Sequence, residues 1–199
     1  NLTALLNEKF KNKINIINND VLKVSVDKLT NEKLTVFGNL PYNISTEILS
    51  RWIINLDKNF WFKNLVLMFQ KEVADRIIAK TNTSNYGRLS ILSNWKLDVN
   101  KIIDIKPQSF FPKPKVDSTL LIFSPKINYF ELKDSKNLEM ITRVFFNQRR
   151  KMIKRSLHRI FKNPIEISKK YNIDLNLRPQ NLEPEIYFTL TKEYENLRG

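Results

Sequence analysis

The run Gly38-Asn39-Leu40-Pro41-Tyr42-Asn43-Ile44-Ser45-Thr46 carries the most specific chemistry in the sequence. It follows the apolar residues Leu34 to Gly38 directly, which places it at the carboxyl end of a strand, where open α/β sheets bind ligands. An Asn-x-Pro-aromatic corner there suits methylation of an exocyclic amine, whose lone pair is delocalised into its base and is a poor nucleophile. An Asn side-chain oxygen and a backbone carbonyl can each accept one N–H bond, which holds the amine and turns its lone pair towards a donor. Pro41 fixes φ and gives up its own N–H, so the corner is stiff. Tyr42 offers a face on which a flipped base can stack. A bare Asn-x-Pro-Tyr would also serve as a strand end with a proline turn and a packed tyrosine; the whole string in this context favours the site.

The string NLPYNIST resembles the adenine-binding loop of the small-subunit ribosomal RNA adenine dimethyltransferases. Four further stretches agree in the same order: FQKEVADR (Phe69 to Arg76), YGRLS (Tyr86 to Ser90), SFFPKPKVDS (Ser109 to Ser118) and NQRRKMIKRSL (Asn147 to Leu157). The resemblance implies a Rossmann-like methyltransferase domain of α/β class followed by a small all-helical one. It implies transfer of two methyl groups from S-adenosylmethionine to N6 of each of two adjacent adenosines near the 3′ end of small-subunit rRNA. By that likeness Asn39 holds the target amine and contacts the donor, Leu40 supplies the backbone carbonyl, Pro41 stiffens the corner and Tyr42 stacks on the base. Asp20, in the pair Asn19-Asp20, resembles the acidic residue that accepts from the donor's adenine amine; on its own it reads equally as an Asx turn. Phe110 resembles a second aromatic near the target base. Phe111 beside it is an alternative, and core packing is expected of one of the two. Pro112 and Pro114 stiffen their loop in an extended form.

The elements that must position these residues follow from the apolar pattern. Lys13 to Asn18 reads as a strand ending at Asp20, and Leu34 to Gly38 as a second. A helix starts at Ser45-Thr46-Glu47. Leu65 to Phe69 is a continuous apolar strand of the kind buried on both faces of a parallel sheet. Helices over Lys71 to Ala79 and Leu89 to Trp95 precede two closing strands, Val99 to Ile105 and Val116 to Phe123. The alternation predicts a largely parallel sheet. After Pro125 only helical periodicity remains, broken near Pro164 and between Arg178 and Pro184. The expected division is a methyltransferase part over 1–126 and a helical, rRNA-binding part over 127–199.

The net charge of +14 points to a polyanionic partner, although the 24 Lys and 24 Asn also fit an AT-rich genome. Distribution is more telling. Residues 140–165 hold eight Lys or Arg and no Asp or Glu. On a single helix Lys151, Lys154, Arg155, Arg159 and Lys162 would share one face, with Met152, Ile153, Leu157, Ile160 and Phe161 opposite. Arg149, Arg150, Lys151, Lys154, Arg155 and Arg159 are therefore candidates for rRNA phosphates, with Arg88 a weaker one. The alternative is a solvated helix face.

Other chemistries find little support. One His, His158, and no Cys argue against a zinc or Cys-His site, and no metal is expected. Glu72, Asp75, Lys71 and Arg76 read as a solvated ion-pair face. No apolar run reaches the roughly 18–20 residues that span a bilayer, and the absence of Cys fits a reducing compartment such as the cytoplasm. The resembling family holds its donor's ribose and methionine on a Gly-rich strand-to-helix turn, which Gly38, Gly87 and Gly199 cannot form. The expectation is that about 60–80 residues precede Asn1 in the whole protein, and that residues 1–199 alone bind donor poorly. Expected partners are small-subunit rRNA and the 30S particle, with no membrane and with the complete protein monomeric. Two alternatives stay open: a non-catalytic rRNA-binding assembly factor, and a large-subunit rRNA adenine methyltransferase.

Overall fold

A computed structural model describes residues 2–198 except 12, 26–28, 30, 57 and 58. The chain divides into two compact units, Asn1–Glu32 and Lys33–Gly199. In the first unit, helix α1 covers Leu2–Phe10 and a 3₁₀ turn covers Val21–Lys23. Lys13 to Asn18, expected as a strand, is bend and irregular backbone. Its β-branched residues are separated by Asn15 and Asn18, and asparagine is depleted in strands because its side chain competes for backbone hydrogen bonds.

The second unit is built on a four-stranded sheet in the order β1-β2-β4-β3. Strand β1 covers Leu34–Asn39, β2 Phe62–Gln70, β3 Leu97–Ile105 and β4 Ser118–Pro125. The β1–β2 pair is parallel, with Asn39 opposite Met68. Both pairs made by β4 are antiparallel. The α/β class therefore holds, but the expected largely parallel sheet is a mixed one. Three strands run one way, and β4 returns between two of them through the loop at 106–117. Strand β2 is central, and Leu65, Leu67 and Phe69 are fully buried. That accounts for its continuous apolar run, since a strand covered on both faces has no polar side. Strands β1 and β3 lie at the ends of the described sheet and alternate or expose more of their residues.

Helix α2, Ser45–Ile54, buries Ile48, Leu49 and Ile53, an i, i+1, i+5 stripe along one face. Helix α3 covers Lys71–Ile77 and α4 covers Arg88–Lys96. After β4 the chain is helical: α5 Ser135–Phe146, α6 Lys154–Ile160, α7 Pro164–Lys170 and α8 Pro184–Asn196. Pro164 and Pro184 sit in the first turns of their helices, where a missing N–H breaks no helical bond. Helix α5 buries Leu138, Ile141, Thr142 and Phe145, spaced for one face, and packs on α8, α4 and α2. Rings lock this packing: Phe145 lies edge-on to Tyr187 at 5.3 Å. Trp95 of α4 donates its indole N–H to the Phe130 carbonyl at 2.8 Å, and Tyr86 donates to the Leu182 carbonyl at 3.0 Å. The YGRLS stretch is thus largely a structural joint. Among the described residues no helix is long and apolar enough to cross a membrane.

Candidate active site

The Asn39 corner leaves the end of β1 and turns at once into α2. Ile44 N–H donates to the Pro41 carbonyl at 3.1 Å, and Ser45 Oγ donates to the Tyr42 carbonyl at 3.2 Å. Leu40 is buried and anchors the turn, while Asn39 and Pro41 are exposed on either side. Gly38 is required by closeness rather than by φ. A Cβ there would stand 2.6 Å from Cδ2 of Leu67, a side chain buried in the sheet.

The second loop, between β3 and β4, comes to the same edge of the sheet. Asn39, Leu40, Pro41 and Tyr42 line one side of an open cleft of about 370 Å³, and Phe110, Phe111, Pro112 and Pro114 line the other, with Met68 at its base. Residues more than 70 apart in sequence are brought together because β1 and β2 end where β4 begins. Tyr42 Oη and Ser118 Oγ, 2.6 Å apart, join the two loops directly. Phe110 is half-buried with extended backbone at φ −121°, ψ 149°, and Phe111 is fully exposed. The peptide bond between Phe111 and Pro112 is cis. Neither ring is a core residue, so the packing expected of one of them is not found.

A charged clamp holds the second loop from behind. Lys71, at the start of α3, donates to Asp104 Oδ2 at 3.2 Å, and its backbone N–H reaches the Asp117 carbonyl at 2.9 Å. Lys101 and Thr119 donate to the same Asp104 carboxylate at 2.6 and 2.7 Å. These bonds, with Lys101 and Thr119 the strongest, hold the Asp104 carboxyl far below the usual carboxylate range. Lys106 pairs with Asp117 at 2.6 Å. The expected ion-pair face is present, Arg76 with Glu72 and Lys71 with Asp75 at 3.7 Å, and Lys71 joins this clamp as well. Asp104 had no motif to announce it; a carboxylate inside the apolar run IIDI was the one available sign.

Asp20 is exposed, and its Oδ1 caps the 3₁₀ turn by accepting from Leu22 N–H at 3.0 Å. This is Asx-turn geometry, and a carboxylate of this kind keeps lone pairs for a further donor.

The basic segment departs from the single helix face expected of it. Helix α5 ends at Phe146, residues 147–150 form turns, and α6 begins only at Lys154. Lys162 lies beyond the helix, and Met152, expected on the buried side, is exposed. On α6 itself Lys154, Arg155, His158 and Arg159 are exposed, while Ser156 and Leu157 are buried. Arg150 and Lys151 are exposed in the connecting segment. Arg149 is engaged within the protein: its Nε donates to Gln180 at 3.0 Å, and its terminal nitrogen bonds the Ser84 carbonyl. Arg88 faces Glu139 at 3.5 Å.

The family model for ribosomal RNA adenine dimethylase matches residues 1–196. The chain belongs to that family. It is 67% identical over 198 residues to ribosomal RNA small subunit methyltransferase A of Pelagibacter ubique, covering 100% of this chain and 76% of that protein. It is 40% identical over 194 residues to the protein of the same name from a Wolbachia of Drosophila simulans, covering 97% and 70%. Among solved structures, a dimethyladenosine transferase from Plasmodium falciparum superposes with a TM-score of 0.79 at 24% identity, over 98% of this chain and 77% of that one. The 23S rRNA methyltransferase ErmE superposes at 0.65 with 20% identity, over 98% and 78%. Those two likenesses bear on the fold alone, and they agree with the methyltransferase class read from the sequence.

Proposed function

We propose that this family member dimethylates N6 of two adjacent adenosines near the 3′ end of small-subunit rRNA, with S-adenosylmethionine as donor. The observation that carries the proposal is the meeting of the Asn39 corner and the Phe110 loop on one cleft. The names of its small-subunit relatives favour that substrate over large-subunit rRNA.

In this scheme the target base enters the cleft flipped from its stack. Tyr42, fixed by Ser118, and Phe110 bracket its faces. In the first transfer the Asn39 side-chain oxygen and the Leu40 carbonyl each accept one N6–H hydrogen bond and direct the nitrogen lone pair along one line. The methylated nitrogen then gives one proton to water, and in the second transfer the one remaining N6–H keeps one of the two acceptors. When bound, S-adenosylmethionine supplies an electrophilic methyl group on that line. The exposed Asn39 carboxamide on the cleft fits the methyl end of the donor, and the Asp20 carboxylate fits an adenine amine. Direct transfer calls for no strong base; it calls for an approach of about 3–3.5 Å with orbitals aligned. Residues 127–199 are taken as the rRNA-holding part, with Arg150, Lys151, Lys154, Arg155 and Arg159 as its phosphate contacts and Arg88, from the methyltransferase part, as a weaker one. The setting is the cytoplasm, where ribosomal subunits are assembled, and the protein acts as a monomer.

The test uses the full-length protein on isolated 30S and 50S particles. Methylation of 30S alone, abolished by Asn39→Ala with 30S binding retained, is the expected result. Retained methylation by Asn39→Ala would remove Asn39 from the site, and 30S binding without methylation by the unaltered protein would make it an assembly factor.

A further inference from the structure

The two rings of the Phe110-Phe111 pair stand in different environments, although their Cα atoms are only about 3.8 Å apart. Phe110 is half-buried in the cleft wall on extended backbone, and Phe111 beside it lines the same cleft. Phe111 is fully exposed. A fully exposed phenylalanine contributes nothing to the core, and exposed Lys113 and Lys115 follow it on the same loop. An accessible aromatic face beside lysines is the arrangement that holds single-stranded nucleic acid: the ring stacks on a base, and the cations meet the phosphates. Pro112 and Pro114 restrict the loop, so little conformational freedom is lost when a base docks.

We propose that Phe111 is the stacking platform for the nucleotide next to the target adenosine, with Lys113 and Lys115 on the adjoining phosphates, while Phe110 serves the target base itself. Two successive rings then meet two successive bases of one strand. This rests on the proposed rRNA adenine activity and adds a second base subsite to it.

The experiment is a cycle between protein and RNA, using the full-length protein and a short RNA with one target adenosine in a single-stranded loop. An abasic residue is placed on its 5′ or 3′ side, affinity is read by fluorescence anisotropy, and the single-turnover methylation rate is read at saturating RNA. For the unaltered protein, an abasic residue on one flank weakens binding about 10-fold, the loss of one base–ring stack. Phe111→Ala weakens binding of intact RNA to the same degree and is indifferent to that abasic residue; Phe111→Trp restores both affinity and sensitivity. The saturated rate of Phe111→Ala falls less than that of Phe110→Ala, since stacking beside the target acts mainly on binding whereas stacking on the target acts on the transfer step. Losses that multiply, or indifference of the unaltered protein to both flanks, overturn the proposal. So does a collapsed saturated rate in Phe111→Ala, which would put Phe111 on the target base. Because affinity is read without methyl transfer, an unaltered protein that binds RNA but methylates none would sink the activity and leave the stacking cycle readable.

Discussion

Tyr42 Oη lies 2.6 Å from Ser118 Oγ, across 76 residues of sequence, and this bond fixes the angle at which the tyrosine ring meets the cleft. Ser118 is fully buried at the first position of β4, so it is the fixed partner and Tyr42 the positioned one. A hydrogen bond of this kind contributes about 1 kcal/mol, or roughly fivefold in an equilibrium. Tyr42→Phe, which keeps the ring and loses the bond, is expected to lower kcat by about fivefold. Tyr42→Ala, which removes the stacking face as well, is expected to lower it by about 100-fold or more. Donor affinity, measured by isothermal titration, stays nearly unchanged in both. Equal losses in Phe and Ala variants would show that the hydroxyl, not the ring, does the work.

Phe110→Ala is expected to reduce methyl transfer by about 10- to 100-fold with donor affinity intact, because it removes the second face from the target base. Single-turnover rates at saturating RNA decide this. Unaltered turnover would remove Phe110 from the site.

How far the sequence could carry this account depends on the range of each interaction. The Asn39 corner was legible because its residues are contiguous and each has a separate chemical reason to be there. The clamp of Lys71, Asp104 and Thr119 was not, since it joins three elements whose register only the folded sheet sets. The mixed direction of the sheet was hidden for a related reason. A strand's apolar pattern reports which faces are buried and says nothing about which way the chain runs through them. Arg149 groups with its basic neighbours in the sequence, whereas the fold turns it back onto the loop at Ser84. Charge is visible in a sequence, but the partner that consumes it is not.

The Asp104 clamp gives a pH dependence of definite sign. Its folded carboxyl is held below the ordinary Asp value of about 3.9, so its contribution is present above that pH and lost as pH falls towards the folded value. The melting temperature of Asp104→Asn is expected to lie below that of the unaltered protein at pH 7, with the gap starting to narrow below about pH 4 and closing only towards the folded value. Thermal scans from about pH 3 to pH 8 measure this. Parallel curves across the range would mean that the clamp does not favour the charged form of Asp104.

The basic segment separates into one structural arginine and several candidates for rRNA. Arg149 holds Gln180 and the Ser84 carbonyl, so Arg149→Ala is expected to cost about 1–3 kcal/mol of stability, the range for losing a charged hydrogen-bond donor. Arg150, Lys154 and Arg155 are exposed, so their charge reversal should leave melting unchanged. Reversal of Arg150 and Arg155 together should weaken 30S binding and lower the slope of log affinity against log salt by about one for each phosphate no longer neutralised. Melting curves beside binding isotherms at several salt concentrations separate the two roles. An unchanged slope would reduce Arg150 and Arg155 to solvated surface.

Gly38 tests the backbone beneath the site. A Cβ at this position would stand 2.6 Å from Leu67 Cδ2, and Leu67, fully buried at the centre of β2, has packed neighbours on the sides to which it could retreat. Gly38→Ala therefore forces β1 and β2 apart or drives Leu67 from its rotamer, at a cost of about 1–3 kcal/mol. The displacement falls one residue before Asn39, so methyl transfer is expected to suffer beyond the loss of stability, because a shift of about 1 Å in a positioning group can cost about 100-fold in rate. Leu67→Ala opens the space for the new methyl, so the double variant should lose less stability and less rate than the two single losses combined. The measurement is a double-mutant cycle in melting temperature and single-turnover rate. Additive effects of the two substitutions would show that the close approach of Gly38 to Leu67 is not what demands a glycine here.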